Sequence, residues 1–487
     1  MIIMTHRIAI ILAALLLVSI VSCSGSVTSN DTTSSNNTDT EGSAGTEFVY
    51  EFPELNLNEK EFKILNGKIS WGGFIYQLDY ESQSGEPLDD AIFNRNRMVE
   101  EKFNLKFSIV EEDVHSADKA LQRMVMAQDD AYQAAFIKGT GLANLVTEEY
   151  LCDLSRLDSL RLDEPWWDSF ANTEAKLGKN GKLCFASSDI SLVGFQSSVA
   201  VFFNEDKLVD LGMSAPYQLV RDGKWTLDEL AKYMKAGANL NGDPTFAWNS
   251  TAKAEYGLAT WTTGISAFIT GCNESFIDRS TQNEPVFGCK DSRFYDVLQK
   301  LAGMFAKEGE FLLTSGSGVD HYETIFASRR ALMLVAELKA SSKYRDVDFT
   351  FGIVPMPKYD ESQEKYYCYR WQDAYMLCIP VTNPAPEESG AVMDAMAYIS
   401  YDKVLPIFYD NTMSQKQLRN DESIEMLDII RDSRSFNVGR VYGWTEQLSL
   451  DVEAALKSGS TDIASLIESN RSKIETKISE TMEIMNK

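Results

Sequence analysis

Apolar positions along this chain follow two rhythms. Short apolar runs at 61–65 (EFKIL), 105–110 (LKFSIV) and 132–137 (YQAAFI) read as strands. Between them the spacing turns helical: Leu88, Ala91, Ile92, Met98, Val99 and Phe103 follow Pro87, which suits a first helical position. Ala117, Ala120, Leu121, Met124 and Val125 follow Ser116, a capping residue. Strands alternating with helices predict a parallel sheet with right-handed crossovers, whose ligands sit beyond the carboxyl ends of the strands. That rule directs attention to Trp71, Glu111, Glu112 and Gly139-Thr140-Gly141.

A second unit opens at 199–204 (VAVFFN). Thr226 and Glu229 are spaced as a capping box, with Trp225 and Leu230 as its hydrophobic staple. Leu230, Tyr233 and Met234 carry the helix to near Gly237, before the turn-rich 239–244 (NLNGDP). Asn239, Asn241 and Asp243 alternate as calcium ligands do, but Pro244 and Ser250 stand where the loop needs Gly and a bidentate Glu. The segment reads as a turn, and no metal is expected. Ile463, Leu466, Ile467, Ile474, Ile478, Met482 and Met485 predict a long C-terminal helix. No repeat of fixed period occurs.

The N-terminus has a different character. Arg7 precedes an apolar run over 8–18, short of the roughly 20 residues needed to span a membrane and suited to the core of a secretion signal. Ile20-Val21-Ser22-Cys23 resembles the lipobox of bacterial lipoproteins, which implies a diacylglycerol on Cys23 and cleavage before it. Residues 24–47 are almost wholly Ser, Thr, Asn, Asp and Gly, a composition that cannot bury enough surface to order itself. The expected division is a signal peptide at 1–22 and a flexible tether at 23–47.

Charge narrows the functional classes. A net charge of -26 argues against nucleic acid and against electrostatic docking on anionic lipid. Past the signal only His115 and His321 remain, so HExxH zinc chemistry is absent, as is a GxSxG elbow. Gly139-Thr140-Gly141 lacks the third glycine of a dinucleotide loop, and no cofactor is expected. Six cysteines besides Cys23 allow fifteen pairings, of which Cys272–Cys289, flanking a polar loop, is the one singled out. None sits in a CxxC. An extracellular glycoside hydrolase and a surface scaffold remain as alternatives, although a chain this rich in Asp and Glu always offers carboxylate pairs.

Segments 201–208 (VFFNEDKL), Pro216-Tyr217 and 223–230 (GKWTLDEL) resemble the family 1 extracellular solute-binding proteins, binding components of ABC importers in the maltose-binding class. Segments 326–335 (FASRRALMLV), 351–358 (FGIVPMPK), 375–380, 425–428 (EMLD) and 441–444 (VYGW) follow in the family's order, so the resemblance runs from 61 to the C-terminus. It implies an α/β, two-lobed periplasmic-binding-protein type II fold with a hinge. The expected lobes are 48–198 with a return at 326–365, and 199–325 with a return at 366–487. It also implies a small-molecule solute, partnership with the membrane subunits of an ABC permease, and no catalysis. With the lipid on Cys23, the protein would work at the extracytoplasmic face of the cell membrane.

Eight Trp and twenty Tyr suit stacking on sugar rings, which makes the expected solute a carbohydrate or oligosaccharide. Trp71, in a glycine-rich loop, is one cleft candidate. Arg370, Trp371 and Asp373 fall at the expected lobe recrossing, and Trp444 falls where related sugar binders place a stacking aromatic. Trp261 ranks below these, Trp225 and Trp248 read as structural, and Trp166-Trp167 as either lobe packing or cleft rim. Asp189 either bonds sugar hydroxyls or caps a turn. Glu337, at a strand exit, faces the ligand or pairs with Lys339 or Arg370.

Overall fold

The structure, a computed structural model, describes residues 50–487 apart from 282, 289–291, 315, 345, 372–373, 414–420 and 461. The signal, Cys23, the tether, Cys289 and Asp373 lie outside the described residues. In chain order the strands are β1 (Lys60–Lys68), β2 (Leu105–Asp113), β3 (Ala134–Lys138), β4 (Val199–Asn204), β5 (Tyr256–Thr260), β6 (Ile277–Asp278), β7 (Val286–Phe287), β8 (Phe311–Leu313), β9 (Ala331–Glu337), β10 (Phe351–Val354), β11 (Cys368–Tyr369), β12 (Tyr375–Cys378) and β13 (Arg434–Ser435).

Two main sheets result. The first has the order β12-β3-β1-β2, with β1 parallel to β2 and β3, and β12 antiparallel to β3. The second has the order β10-β4-β9-β5-β8, with β5 parallel to β8 and β9 while β4 runs against β9 and β10. Central strands β4 and β9 are buried at every position, as VAVFFN and ALMLVAE require. Edge strand β2 ends in Glu111, Glu112 and Asp113, charges that discourage edge-to-edge pairing.

The chain passes between the sheets at three neighbouring places. Ser198, just before β4, bridges Arg370; the Trp371 amide donates to the Ser197 carbonyl at 2.9 Å; and β11 pairs in parallel with β13. The returns differ from expectation: β9 and β10 complete the second sheet, not the first, and β12 joins the first sheet, not the second. An all-apolar strand fits the centre of either sheet, so its pattern does not allocate it. The helix Pro386–Ile399 packs on the helix Pro87–Phe103, whereas the helix Asp421–Asp432 packs on β10.

Local signals held with instructive exceptions. Thr226 accepts the Glu229 amide at 3.4 Å, and Trp225, fully buried, donates its indole N–H to the Pro355 carbonyl at 2.9 Å. Ser116 precedes its helix as expected but makes no cap bond; its hydroxyl donates to the Asp113 carbonyl instead. Met98, on the expected apolar face, is 45% exposed. The carboxylate of Asp243 accepts the amides of Lys253 and Ala254 and so ties its turn. Cys152, Cys184, Cys272, Cys368 and Cys378 are free thiols, and burial pushes Cys184 up to about 12. Among the described residues no helix is long and apolar enough to cross a membrane.

Trp166 and Trp167 are packing residues. Both indole N–H groups donate to Asp394 Oδ1, at 3.0 and 2.8 Å, while Arg161 grips Oδ2 through Nε at 2.8 Å and Nη2 at 2.6 Å. Asp394 is 1% exposed and therefore serves as one buried acceptor for three side chains. Asp394→Ala should lower the unfolding free energy by about 3–5 kcal/mol, because it strands buried donors and a guanidinium. Chemical denaturation checks this; a loss under about 1 kcal/mol would mean the cluster contributes little.

Candidate functional site

The carboxyl end of β1 leads into Gly72 and Gly73, whose φ values of 78° and 74° are left-handed and favour glycine. This turn presents Trp71, whose ring stacks on His115 at 5.2 Å and 13°. His115, beyond the end of β2, lies with Nδ1 2.7 Å from Lys138 Nζ at the end of β3. Lys68 Nζ pairs with Glu111 Oε2 at 2.8 Å. Three strand ends thus share one patch, as a parallel sheet requires.

The same turn reaches the second sheet. Lys339, just past β9, sets its Nζ 4.9 Å above the Phe74 ring, and a Cβ on Gly72 would lie 3.1 Å from that nitrogen. Phe74 also stacks against Trp371 at 6.5 Å and 18°. At the end of β9, Glu337 is 2% exposed, 3.9 Å from Lys339 Nζ, and accepts the Tyr322 hydroxyl at 3.3 Å. Burial raises the Glu337 carboxyl above its usual range, and Lys339 offsets only part of this. Trp261, just past β5, stacks on Tyr322 at 5.2 Å and 19°. Both carboxylate and aromatic groups therefore gather at strand ends of both sheets.

Behind this lies a buried charge network. Asp168 Oδ2 is 3.1 Å from Arg370 Nη1 and 3.3 Å from Arg434 Nε. Asp189 accepts from Arg434 Nη1 at 2.7 Å and from Arg431 Nε at 3.3 Å. Arg370 Nη1 also donates to Ser187. Asp189 is thus held by arginines on the crossing segments, which is neither of the roles the sequence offered it. Arg370, named as a partner for Glu337, pairs with Asp168 instead. Trp444 is 3% exposed, stacked on Tyr442 and bonded to Thr481 at 2.9 Å; it packs against the C-terminal helix and not in a cleft.

Of the cavities beside the crossing segments, one of about 440 Å³ among Lys365, Tyr366, Glu425 and Asp432 lies away from the strand-end patch, and two share Phe436 and Asn437. The larger of this pair, about 320 Å³, lies among Phe170, Glu174, Arg279, Tyr367, Phe436 and Asn437. The smaller, about 10 Å³, is also lined by Gly139, Arg370, Trp371 and Arg440. Gly139 follows Lys138, so the small cavity abuts the strand-end patch. Sequence reasoning named Lys339 only as a partner for Glu337, which it is, and missed Phe74, Tyr322, Asp168 and Arg434. Only its strand-exit position could have marked Phe74, and nothing local marks the others.

No protein-family model and no curated protein matches this sequence. Solved structures match in fold. An ABC substrate-binding protein from Listeria monocytogenes in complex with cycloalternan is 12% identical, with a TM-score of 0.54 over 86% of this chain and 99% of that one. A maltose-binding periplasmic protein from the same organism, in complex with maltose, is 12% identical with a TM-score of 0.56 over 86% and 98%. A cyclic α-maltosyl-1,6-maltose binding protein from Arthrobacter globiformis is 10% identical with a TM-score of 0.56 over 86% and 99%. The chain has the two-lobed α/β fold of periplasmic binding proteins.

The network carries a pH signature. Burial would raise the Asp189 carboxyl, but Arg434 and Arg431 outweigh it and hold the group at about 2, against 3.8 when free. A folded-state value below the unfolded one gives stability that is full above about pH 4 and lost as pH falls toward 2. Unfolding free energy should therefore drop across that window, on the order of 2 kcal/mol for this group. Asp189→Asn should flatten that part of the profile; an unchanged slope in denaturation series at pH 4, 3 and 2 would contradict it.

Proposed function

We propose that this chain is a lipid-anchored, extracytoplasmic solute-binding receptor of an ABC importer, which captures a carbohydrate between its lobes and delivers it to the permease. The observation that carries this reading is the meeting of strand ends from two α/β sheets around Trp71, Phe74, Trp371 and Lys339. Aromatic faces take the apolar C–H faces of a sugar ring, and nearby charged groups take its hydroxyls. Trp71, Trp261, Trp371, Glu337 and Arg370 are the ligand-facing residues we assign. Structural neighbours in complex with maltose and cycloalternan support the cargo class through their fold.

The three adjacent crossings suit hinge closure, in which the closed form contacts one solute from both lobes. A diacylglycerol and further acylation on Cys23 would supply the two or more chains that stable anchoring needs. The polar stretch 24–47 would then let the body work close to the permease.

A panel of mono- and oligosaccharides should raise the melting temperature or alter tryptophan fluorescence without being consumed. Linkage gives about 2.7 kcal/mol of stabilisation at a ligand concentration of 100 Kd. Products in place of a shift would make the protein a hydrolase; neither response would reject the sugar. Cys23→Ser should release the protein from membranes, read by fractionation, while purified protein still binds solute. Retention on the membrane would reject the lipid anchor.

A further inference from the structure

The small cavity beside the crossing segments has an unusual set of polar groups. Arg370 is 5% exposed, and its Nη1 is engaged by Asp168 and Ser187, but its Nη2 is buried without an acceptor among the described residues. The indole Nε1 of the next residue, Trp371, is likewise buried without one. Both residues line the same cavity. The carboxylates nearest Arg370 are already shared: Asp168 also serves Arg434, and Asp189 serves Arg434 and Arg431. A third lining residue, Asn437, has its Oδ1 occupied by the Arg440 amide, which leaves its Nδ2 as a further donor. Arg440, also lining, is engaged by Glu446 and Glu453. Among the described residues no carboxylate lines the cavity.

Such a wall discriminates between acceptor types. A hydroxyl accepts but also brings its own proton, which needs an acceptor in turn. A carboxylate brings none, and its bonds to a guanidinium are charge-assisted and roughly twice as strong as neutral ones. The volume, about 10 Å³, suits one oxygen-sized group, while the adjoining space of about 320 Å³ suits a ring. A closed chain of contacts links this cavity to two more cations. Trp371 stacks on Phe74, Phe74 lies under Lys339, and Gly72 beside Lys339 adjoins Trp71. Trp71 covers His115, His115 meets Lys138, and Lys138 precedes Gly139 of the cavity wall. Arg370 and Lys339 already have carboxylates beside them, Asp168 and Glu337, so the site's preference for an anion rests on the unpartnered donors Arg370 Nη2 and Trp371 Nε1.

We infer that the solute carries a carboxylate, a uronic acid residue in a saccharide, and that its carboxylate oxygen is taken by Arg370 Nη2 and Trp371 Nε1. This deepens the proposed sugar-receptor reading and rests on it. The anion would be anchored at the base of the cleft, with the sugar ring extending into the larger space past Phe436 and Asn437.

Calorimetric titration of the full chain tests this with uronic disaccharides, their neutral counterparts of the same stereochemistry, and acetate alone. The uronic forms should bind at least about tenfold more tightly than the neutral ones, the scale of one buried charge-assisted bond. Arg370 is tied into the network that holds the crossing segments, so Trp371→Phe is the informative variant: it keeps an aromatic ring beside Phe74 and removes the N–H together with the pyrrole half of the indole. It should shrink the uronic-to-neutral preference severalfold, with melting temperature as the control for folding. Equal affinity for neutral and uronic sugars, or an unchanged preference in Trp371→Phe, would overturn this inference and leave the sugar-receptor reading standing. A response to acetate as large as that to the uronic sugar would assign the cavity to a free anion. Binding of no sugar of either kind would overturn both readings.

Discussion

Asp168 stands between two arginines, Arg370 and Arg434, that belong to different crossings of the chain between its sheets. Charges buried this deeply are tolerated only as complete sets, since an unpaired one costs several kcal/mol. The set therefore fixes how β11 and β13 sit against each other and against Ser198, and through them the placement of both sheets. Asp189 adds a second tie to the same guanidinium of Arg434 and to Arg431. Crossing segments built this way have a stiff centre.

The strand-end patch depends on that centre. Trp371 follows Arg370 directly, and its ring meets Phe74 from the β1 turn because the crossing segment is held where Asp168 places it. Lys339 and Glu337 arrive from the opposite sheet because β9 is clamped between β4 and β5. No single element contains the patch. Its charges come in pairs: Lys339 lies beside Glu337, Lys68 beside Glu111 and Arg370 beside Asp168.

Several features were legible in the residues. The first three strands and their two helices, the Thr226 cap and the C-terminal helix all follow from local signals. The positions of Trp71, past the end of β1, and of Trp371, at a recrossing, were also legible. Trp444 was misread because an aromatic beside a tight turn looks alike in a cleft and in a core. Its partner Thr481 lies 37 residues on, and only packing brings them together. Asp189 and Arg434 are 245 residues apart, and neither has a neighbour that marks it.

By itself the sequence determined the alternation of strand and helix, the local caps, the strong negative charge and the separate character of the first 47 residues. These depend on interactions within a few positions, or on composition alone. The tertiary structure decided which sheet takes β9, β10 and β12, which tryptophans pack in the core, and where the arginines find their carboxylates. Those outcomes depend on contacts between residues far apart in the chain. An apolar strand or a buried ion carries no local record of its partner.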